Sequence, residues 1–495
     1  MNRYFRVTHL ILIISIAIFL VQSGCAVNPV TGKKEIMLIS ESMEISMGKE
    51  IDQGLRMEYG FYDDPQLNAY VAQIGQEMVP HCHRPNLEYH FAILDTPVEN
   101  AFAAPGGYIY ITRGLMALVN SEAELATVVG HELGHVNARH SARQMTRAIL
   151  FTLGIAIASE LSKDFRKIAP ISMIATQLLF LKYSRNDEYQ ADALGIEYSL
   201  KTGYSAQEMV NFFTSLQRLT ESSGGARIPN FLSTHPLTPR RIERVKELLQ
   251  AEEYSQFASS SQLKVERDGY INRLNGLVYG DNPRQGYVQG NAFYHPDMRF
   301  YFNIPPGWKV SNTPLQVTLG SPDGKAVILL QAESTGEALD SYTKKMLDKL
   351  SNPQILQQGF LYINGMNAYN SLAAMAADTS GGEDQTAQEL NVQVSCIRKE
   401  GLIFTFFSVA AQSDYPTYQY TIGNTINSFN RLTNPAYINQ TPKRVAVRRI
   451  RQSQSLGNFL SALGIPEKDW KQIALINGME VNQQLSVDQL VKIIR

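Results

Sequence analysis

The first third of the chain alternates between helix-like and strand-like spacing of apolar residues. After Asp64-Pro65, apolar side chains recur at intervals of four, three and four positions, the spacing of one helix face, at Leu67, Val71, Ile74 and Met78. Residues 88–94 and 107–112 are predicted to be strands. This order of elements indicates a mixed domain in which helices accompany a small sheet.

Two longer helices follow these strands. Ser121 and Glu124 form a capping box in front of a helical stretch to about residue 148, and another helix is predicted over 185–201. Between them lie the apolar segments 149–159 and 168–180. Each is shorter than the roughly 18 residues that a membrane span needs, so we interpret them as buried core or as membrane-surface contact.

The second half of the chain is predicted to form two smaller regions. Residues 296–333 and 388–410 are strand-rich, and amphipathic helices near 337–350 and 415–428 complete an α+β accessory domain. The last 55 or so residues follow the order strand, helix, helix, strand, at 445–450, 456–463, 467–476 and 488–494.

These patterns make the whole protein α+β. The predicted divisions are a signal peptide at 1–24, a first domain at 25–255, a polar linker at 256–265, the accessory domain at 266–436 and a C-terminal module at 437–495.

The N-terminus has the features of an export signal. Arg3 and Arg6 precede an apolar run over residues 10–21, which small residues and Cys25 follow. Because Ser-Gly-Cys resembles a bacterial lipoprotein processing site, Cys25 is the predicted lipidation site. Ala26 then favours the outer membrane, with the protein facing the periplasm. The alternative is ordinary cleavage, which would give a soluble periplasmic protein.

Composition excludes several classes of protein. The chain has 495 residues, of which 44% are hydrophobic, with 45 Lys+Arg against 46 Asp+Glu. This balance argues against a nucleic-acid partner, since such proteins usually carry a basic excess. Three cysteines cannot form a disulfide-stapled scaffold.

The strongest chemical signal is the run His131-Glu132-Leu133-Gly134-His135. Residues four apart share a helix face, so both imidazoles can bind one metal ion. Glu132 lies beside them, where its carboxylate can act as a general base on water. The preceding stretch is apolar, and two unpartnered histidines on a buried helix would be costly.

Two imidazoles need a third ligand to hold a catalytic zinc ion. Glu188, on the predicted helix over 185–201, supplies a carboxylate, and Asp192 lies one turn further on the same face. Glu188 would complete a site of two histidines and one glutamate. Asp192 would accept the free N–H of a ligand histidine and so fix its tautomer.

The quoted motifs resemble one peptidase family. The histidine motif, the run from Ser184 to Asp192, the residues from Asn100 to Gly107 and Ser233-Thr-His235-Pro together resemble the HtpX-like family of gluzincin metalloendopeptidases, which includes the CAAX prenyl proteases. The likeness is to its secreted bacterial members and covers about residues 30–250. It implies a mainly helical zincin-type domain with a small sheet, and one Zn²⁺ per chain.

The resemblance also implies roles for residues outside the metal ligands. His235 and Arg241 would stabilise the oxyanion, or His235 would occupy the open position of zinc at rest. Asp192 is also implied to assist proton transfer, although we favour its orienting role. We further expect an exposed strand edge at Gly107, Tyr108, Ile109 and Tyr110 to bind substrate backbone.

The C-terminal module resembles a LysM carbohydrate-binding module, although Ser453-Gln-Ser-Leu456 stands where the usual Gly-Asp-Thr-Leu is found. The resemblance would add peptidoglycan as a partner. Nearby, Lys443, Arg444, Arg448, Arg449 and Arg451 form either a solvated strand face or a contact to an anionic envelope surface.

Two functions therefore remain open. The first is a zinc metalloendopeptidase of the cell envelope that degrades misfolded or misassembled proteins. The second is a membrane-tethered chaperone-like or binding lipoprotein with an idle or latched metal site. The intact Glu132 favours the first, because an abandoned site has no reason to keep its base.

Overall fold

A computed structural model describes residues 25–158, 182–222, 230–252, 254, 263–350, 352–376 and 389–495. The predicted signal peptide, the apolar segment 168–180 and residues 256–262 of the predicted linker lie outside this part of the chain. The described residues divide into two compact units. The first comprises the described parts of 1–56, 60–280 and 443–495, and the second those of 57–59 and 281–442.

Helices dominate the first unit before its C-terminal region. They are α1 (Glu41–Glu58), α2 (Pro65–Met78), α3 (Arg113–Leu118), α4 (Glu122–Asn137), α5 (His140–Ala158), α6 (Arg185–Lys201), α7 (Glu208–Ser222), α8 (Asn230–Thr234), α9 (Pro239–Gln250) and α10 (Arg267–Arg273). The predicted start of α2 is confirmed, since the Asp64 side chain accepts a hydrogen bond from the Leu67 N–H. Of the helices described, none is long and apolar enough to cross a bilayer.

The predicted helix from Ser121 to about residue 148 is wrong in one respect. Ser121 caps α4 as expected, accepting a hydrogen bond from the Glu124 N–H, but α4 ends at Asn137. Arg139 then has a φ of 57°, which an α-helix cannot accommodate. Its guanidinium binds Glu44 and the Ile39 carbonyl, so a long-range contact holds the break before α5.

The strands of this part of the unit are β1 (Cys25–Val27), β2 (Lys34–Ile36), β3 (His90–Leu94), β4 (Ala101–Ala104) and β5 (Tyr108–Thr112). β1 and β2 form an antiparallel pair. The other three form a sheet in the order β3-β5-β4, in which β5 runs parallel to β3 and antiparallel to β4. The sequence predicted β3 and β5 but missed β4.

Glycines let α4 and α6 approach each other closely. A Cβ atom on Gly134 would lie 3.0 Å from the Ala191 carbonyl oxygen, and one on Gly130 would lie 3.0 Å from that of Gly195. A Cβ on Gly195 would lie 2.9 Å from the His131 nitrogen. Real Cβ atoms rarely come so close to other atoms. The two helices can therefore pack at this separation because these three positions carry no side chain.

The second unit is built on a larger sheet. Its strands are β6 (Tyr287–Gln289), β7 (Ala292–His295), β8 (Phe300–Asn303), β9 (Lys309–Asn312), β10 (Gln316–Gly320), β11 (Ala326–Ser334), β12 (Gln354–Ile363), β13 (Met366–Ala376), β14 (Glu389–Lys399), β15 (Leu402–Ala411) and β16 (Asn430–Arg431). Seven of them form a sheet in the order β12-β13-β14-β15-β11-β10-β9, and four form a second sheet, β16-β8-β7-β6. The helices are α11 (Leu339–Leu347), α12 (Tyr415–Asn427) and α13 (Pro435–Ile438).

Two apolar clusters lie on the seven-stranded sheet. α11 contributes Leu339 and Tyr342 to one cluster, and α12 contributes Ile422 and Ile426 to the other. The predicted helices 337–350 and 415–428 and the turn at Glu400 are confirmed. β12 and β13 were missed.

The C-terminal region joins the first unit. Its elements are β17 (Val445–Arg449), β18 (Gln454–Ser455), α14 (Leu456–Ala462), α15 (Glu467–Ile476), β19 (Gln484–Leu485) and β20 (Leu490–Ile494). β17 and β20 pair in antiparallel fashion, so the predicted strand-helix-helix-strand order is confirmed. Val445 and Leu490 belong to the main apolar core of the unit.

The observed division therefore differs from the predicted one. α10 and residues to 280 group with the first unit rather than with the accessory domain predicted to begin at 266, and 443–495 groups with the first unit as well. The reason is long-range backbone pairing, which local composition does not reveal. The Val445 N–H donates to the Leu277 carbonyl at 2.8 Å, and the Gly276 N–H donates to the Val445 carbonyl at 2.8 Å.

A candidate metal centre between two helices

The predicted metal ligands meet where α4 and α6 pack together. The Nε2 atoms of His131 and His135 lie 3.0 Å apart. Glu188 on α6 places carboxylate oxygens 3.7 Å from each of these nitrogens. All three side chains are buried. The structure thus brings together the two histidines and the glutamate that the sequence singled out.

Asp192 lies beside His131, within reach of the hydrogen bond that its predicted orienting role requires. The Asp192 Oδ1 atom lies 3.0 Å from His131 Nδ1, so Nδ1–H can donate to it and the Nε2 lone pair then faces the cluster. Arg241 in turn donates two hydrogen bonds to Asp192, at 2.6 and 2.7 Å. Burial alone would raise the pKa of Asp192, but the Arg241 guanidinium outweighs it and lowers that pKa to about 2.

His135 is oriented by a pair of residues that the sequence analysis missed. Gln190 Oε1 lies 3.0 Å from His140 Nε2, and His140 Nδ1 lies 2.9 Å from His135 Nδ1. If His140 donates to Gln190, its Nδ1 accepts from His135, and the His135 Nε2 lone pair faces the cluster. Tyr183 stacks on the His135 ring with 4.0 Å between centroids.

The sequence contained a partial signal for this arrangement. His140 begins the helix after the histidine motif, and Gln190 lies between Glu188 and Asp192. Their pairing across 50 residues depends on the close approach of α4 and α6, which spacing along the chain does not specify.

Glu132 differs from every other carboxylate of the site. It is completely buried, and neither of its oxygens has a hydrogen-bond partner among the described residues. The Nε2 atom of His235, 3.6 Å from Oε1, makes no hydrogen bond either. Burial raises the pKa of Glu132, although the neighbouring histidines and Arg241 oppose this. A buried carboxylate without donors is costly unless another group binds beside it.

The donor set fits a zinc ion. His131, His135, Glu188 and His235 each offer one ligand atom, and these atoms lie within 4.8 Å of one another. Nitrogen lone pairs and carboxylate oxygens that converge in a buried site need a cation to balance them. Two imidazoles and one carboxylate are a common ligand set of catalytic zinc.

His235 lies inside this cluster rather than beside it. It follows α8, and its Nδ1 atom lies 2.9 Å from Glu188 Oε1 and 3.3 Å from His131 Nε2. Its ring stacks on Phe231 with 4.7 Å between centroids. His235 thus offers a fourth donor atom to the cluster, and its resting-ligand and oxyanion roles both stay predictions.

Arg241 does not face a reacting group. Thr238 caps α9, and in the first turn the Arg241 guanidinium lies against Asp192 and, at 2.6 Å, against Glu188 Oε2. The positive charge of Arg241 is therefore paired with the carboxylates of Asp192 and Glu188. The predicted oxyanion role of Arg241 stays a prediction, and turning a guanidinium away from two buried carboxylates would be costly.

The predicted exposed strand edge at Gly107, Tyr108, Ile109 and Tyr110 is wrong. Gly107 precedes β5, and β5 is the central strand of its sheet, hydrogen-bonded to β3 on one side and to β4 on the other. Both edges of this backbone are occupied. β4, rather than β5, ends the sheet among the described strands, and it packs against α4, which carries the histidine motif.

Comparison with known proteins agrees with this geometry. Residues 65–249 match the sequence model of peptidase family M48. We refer to these matched residues as the M48 region. The M48 region contains every residue of the metal cluster, together with Glu132, Asp192 and Arg241.

Relatives of known name share this region. The beta-barrel assembly-enhancing protease of Escherichia coli K12 is 29% identical over 212 residues, which are 41% of this chain and 43% of that protein. The mitochondrial metalloendopeptidase OMA1 of Arabidopsis thaliana is 30% identical over 204 residues, which are 41% of this chain and 40% of that protein. The matches therefore span less than half the length of these relatives.

A solved structure of cyanobacterial PsbP from Synechocystis covers 30% of this chain and 96% of its own. Its identity to this chain is 12% and its TM-score 0.24, too low to assign a fold.

Proposed function

We propose that this protein is a zinc metalloendopeptidase of the bacterial cell envelope, which hydrolyses peptide bonds in misfolded or misassembled proteins. One observation carries the proposal. The buried carboxylate of Glu132 has no hydrogen-bond partner among the described residues and lies beside four convergent metal donors. Such an arrangement suits a base that awaits water rather than a structural ion site, in which every polar group is satisfied.

The residues have distinct tasks in this proposal. His131, His135 and Glu188 would hold one Zn²⁺ ion, which polarises the scissile carbonyl and lowers the pKa of water. Glu132 takes a proton from the attacking water and passes it to the leaving amine. Asp192 and Arg241 hold His131 and Glu188 in place, and His140 with Gln190 holds His135.

His235 must leave its observed position before the reaction. Because its Nδ1 atom lies 2.9 Å from Glu188 and 3.3 Å from His131, the ring takes the space that water and the substrate carbonyl need. We propose that it serves as a resting fourth donor. The backbone of an extended substrate would then lie near β4, beside α4.

The substrate class and location rest on the relatives and on the N-terminus. The names of the similar proteins associate them with β-barrel assembly and with mitochondria. We propose unfolded or misassembled envelope proteins as substrates. Lipidation of Cys25 would tether the chain to the outer membrane on its periplasmic side, with peptidoglycan as a further contact of the C-terminal module.

The experiment that tests this function is casein cleavage by the purified zinc-loaded protein. We expect cleavage that 1,10-phenanthroline abolishes, that added zinc restores and that Glu132→Gln lacks. Metal analysis should find one zinc ion per chain in the wild type and much less in Glu188→Ala. Glu197→Ala should keep the zinc, because Glu197 is a partly exposed residue of the same helix that pairs with Lys201 instead. Cleavage that persists in Glu132→Gln would disprove the proposal.

The position of His235 also supports a second function. If this side chain never leaves the cluster, the protein would be a tethered chaperone-like or binding lipoprotein with a latched metal site. The outcome that favours this function is a full zinc content without cleavage of casein, in both the wild type and His235→Ala.

A further inference from the structure

The two edges of the seven-stranded sheet are unlike each other. β9 has four residues, begins with the exposed Lys309, and its Asn312 side chain donates to the Gln285 carbonyl. β12 has ten residues and contains no charged side chain. A short strand and a lysine are devices that protect a sheet edge against further pairing, and β12 lacks both.

Several apolar side chains of β12 are also exposed to solvent. Ile355, Leu356, Phe360 and Tyr362 have exposed fractions of 41%, 49%, 69% and 79%. The register to β13 shifts between Ile355 and Gln357 and is regular from there to Ile363. Phe360 and Tyr362 are two residues apart in the regular part, so their side chains share one face of the sheet. Apolar patches of this kind mark interaction surfaces.

A groove begins at that strand and extends across β13 to β14. It has a volume of about 370 Å³ and is lined by Ala338 and Leu339 at the start of α11, by Phe360 and Tyr362 on β12, and by Arg398 on β14. Arg398 is the one charged side chain among the described residues of its lining. Its guanidinium donates to the carbonyls of Thr335 and Glu337 and has further N–H groups to offer.

We propose that the β12 edge and this groove bind an extended, apolar polypeptide segment that carries a carboxylate. The segment would add to the sheet as a further strand through backbone hydrogen bonds. Alternate side chains would enter the groove against Phe360 and Tyr362, and the carboxylate would lie near Arg398. The idea rests on the proposed function, since it makes the second unit a substrate-binding surface of the peptidase.

The positive charge of Arg398 favours this occupant over a second copy of the chain. Two copies could pair their β12 strands, but β12 carries no acidic residue and would bring no carboxylate to Arg398. An apolar segment of an unfolded protein that contains one acidic side chain supplies such a carboxylate. Backbone pairing also suits substrates of varied sequence, because it does not depend on their side chains.

Binding is tested on the full-length, zinc-loaded chain with Glu132→Gln, so that no probe is cut. The probes are fluorescein-labelled, reduced and carboxymethylated α-lactalbumin and the same protein with its carboxylates amidated, both followed by anisotropy. Tyr362→Lys should weaken binding of the first probe at least tenfold. Tyr420→Lys is the matched control, because Tyr420 is 77% exposed on α12 of the same unit. The affinity of this variant for the first probe should stay within twofold of the parent's.

Arg398→Gln separates charge from apolar contact. It should weaken binding of the carboxylated probe about fivefold and leave the amidated probe unchanged. Equal affinities of Tyr362→Lys and Tyr420→Lys would overturn the proposal. So would a β12 variant that converts a dimer to a monomer in sedimentation while binding is unaffected, which would assign the edge to a second copy.

Failure of this inference can be told apart from failure of the proposed function. With Glu132 intact, Tyr362→Lys should raise KM for casein and leave kcat/KM for a short peptide unchanged. If the wild type cleaves nothing but binds the probe through β12, the proposed binding surface is supported and the proposed peptidase function is disproved. If cleavage occurs but Tyr362→Lys changes neither binding nor KM, the surface is disproved alone.

Discussion

Glu132 and Lys492 are both completely buried charged residues of the first unit, and their surroundings are opposite. No hydrogen bond to the Glu132 carboxylate is made by the described residues. The Lys492 Nζ atom donates to the carbonyls of Ala117 and Val119, at 2.8 and 2.7 Å, where α3 ends. Lys492 comes from β20, so a residue of the C-terminal region satisfies the end of a helix in the M48 region.

The difference indicates that Glu132 is kept for function and Lys492 for the stability of the fold. A buried polar group that lacks partners costs free energy, and folding alone gives no reason to keep it. The buried Lys492 amine, whose pKa burial lowers to about 7, donates to two helix-end carbonyls that would otherwise lack donors. We therefore expect substitutions at the two residues to affect activity and stability in opposite ways.

The largest effect is expected for activity at Glu132. Glu132→Gln keeps the shape of the side chain and removes the base, so casein cleavage should fall about 10³-fold, within the usual range for a general base. The thermal unfolding midpoint should not fall, because a neutral amide is buried more cheaply than a carboxylate. Calorimetry and a cleavage assay on the same zinc-loaded preparation measure both.

Asp192→Asn is the matched control, since it is the same chemical change in a carboxylate that has partners. It leaves the buried Arg241 without its bidentate acceptor, which should destabilise the protein by about 3–5 kcal/mol. If Glu132→Gln lowered the midpoint as much as Asp192→Asn, the contrast between unpartnered and paired groups would be wrong.

The next effect is on stability at Lys492. Lys492→Met leaves the carbonyls of Ala117 and Val119 without this donor, so the free energy of unfolding should fall by about 2–4 kcal/mol. The measurement is urea unfolding followed by Trp470 fluorescence in a Trp308→Phe background, because the chain has two tryptophans and Trp470 lies in α15.

Lys468→Met is the control for this measurement, since Lys468 is exposed on the same helix as Trp470. A change below about 0.5 kcal/mol is expected there. Peptidase activity per folded molecule of Lys492→Met should match the wild type. Equal destabilisation by the two lysine variants would show that the C-terminal region does not stabilise the M48 region through Lys492.

A smaller effect is expected at His235. Removing a resting donor from the cluster frees space for water and substrate, so His235→Ala should raise casein cleavage about tenfold, or about 1.4 kcal/mol. The control His140→Ala removes a histidine that contacts His135 from outside the cluster, and it should lower activity. A loss of activity in His235→Ala with normal zinc content would instead favour the oxyanion role.

How much of this site the sequence predicts depends on the range of the interactions involved. His131, Glu132 and His135 follow from spacing within one helix, and Glu188 with Asp192 from spacing within another. The contact of the two helices depends on Gly130, Gly134 and Gly195, whose effect appears only when the helices pack. The roles of His140 and Gln190 and the central place of β5 are likewise long-range, and strand order cannot be inferred from periodicity.

The missed strands of the second unit have a different cause. A strand is recognised in a sequence when one face is buried, which makes apolar and polar residues alternate. Seven of the ten residues of β12 are exposed, and the run Gln-Ile-Leu-Gln-Gln-Gly-Phe-Leu-Tyr-Ile shows no such alternation. Its pairing with β13 supplies the order that the sequence pattern lacks, and the same exposure makes it a candidate binding edge.

The smallest effect is expected at His295, a histidine of the second unit whose ring accepts a hydrogen bond. His295 Nδ1 accepts a hydrogen bond from the Met298 N–H at 3.2 Å, which requires the neutral ring. Burial lowers the pKa of His295 to about 4, although Asp297 opposes the shift. A histidine whose folded pKa is lowered contributes stability above its unfolded pKa, and this is lost as the pH falls toward the folded value.

Between about pH 8 and about pH 5.5, the free energy of unfolding of the second unit should therefore fall by about 1 kcal/mol through His295 alone. Trp308 fluorescence in a Trp470→Phe background reports this unit during urea unfolding. His295→Phe keeps an aromatic ring against Phe300 and cannot be protonated, so the difference between it and the parent should shrink as the pH falls. A constant difference across this range would mean that His295 binds protons equally in the folded and the unfolded chain, so that the Met298 hydrogen bond does not hold the ring neutral.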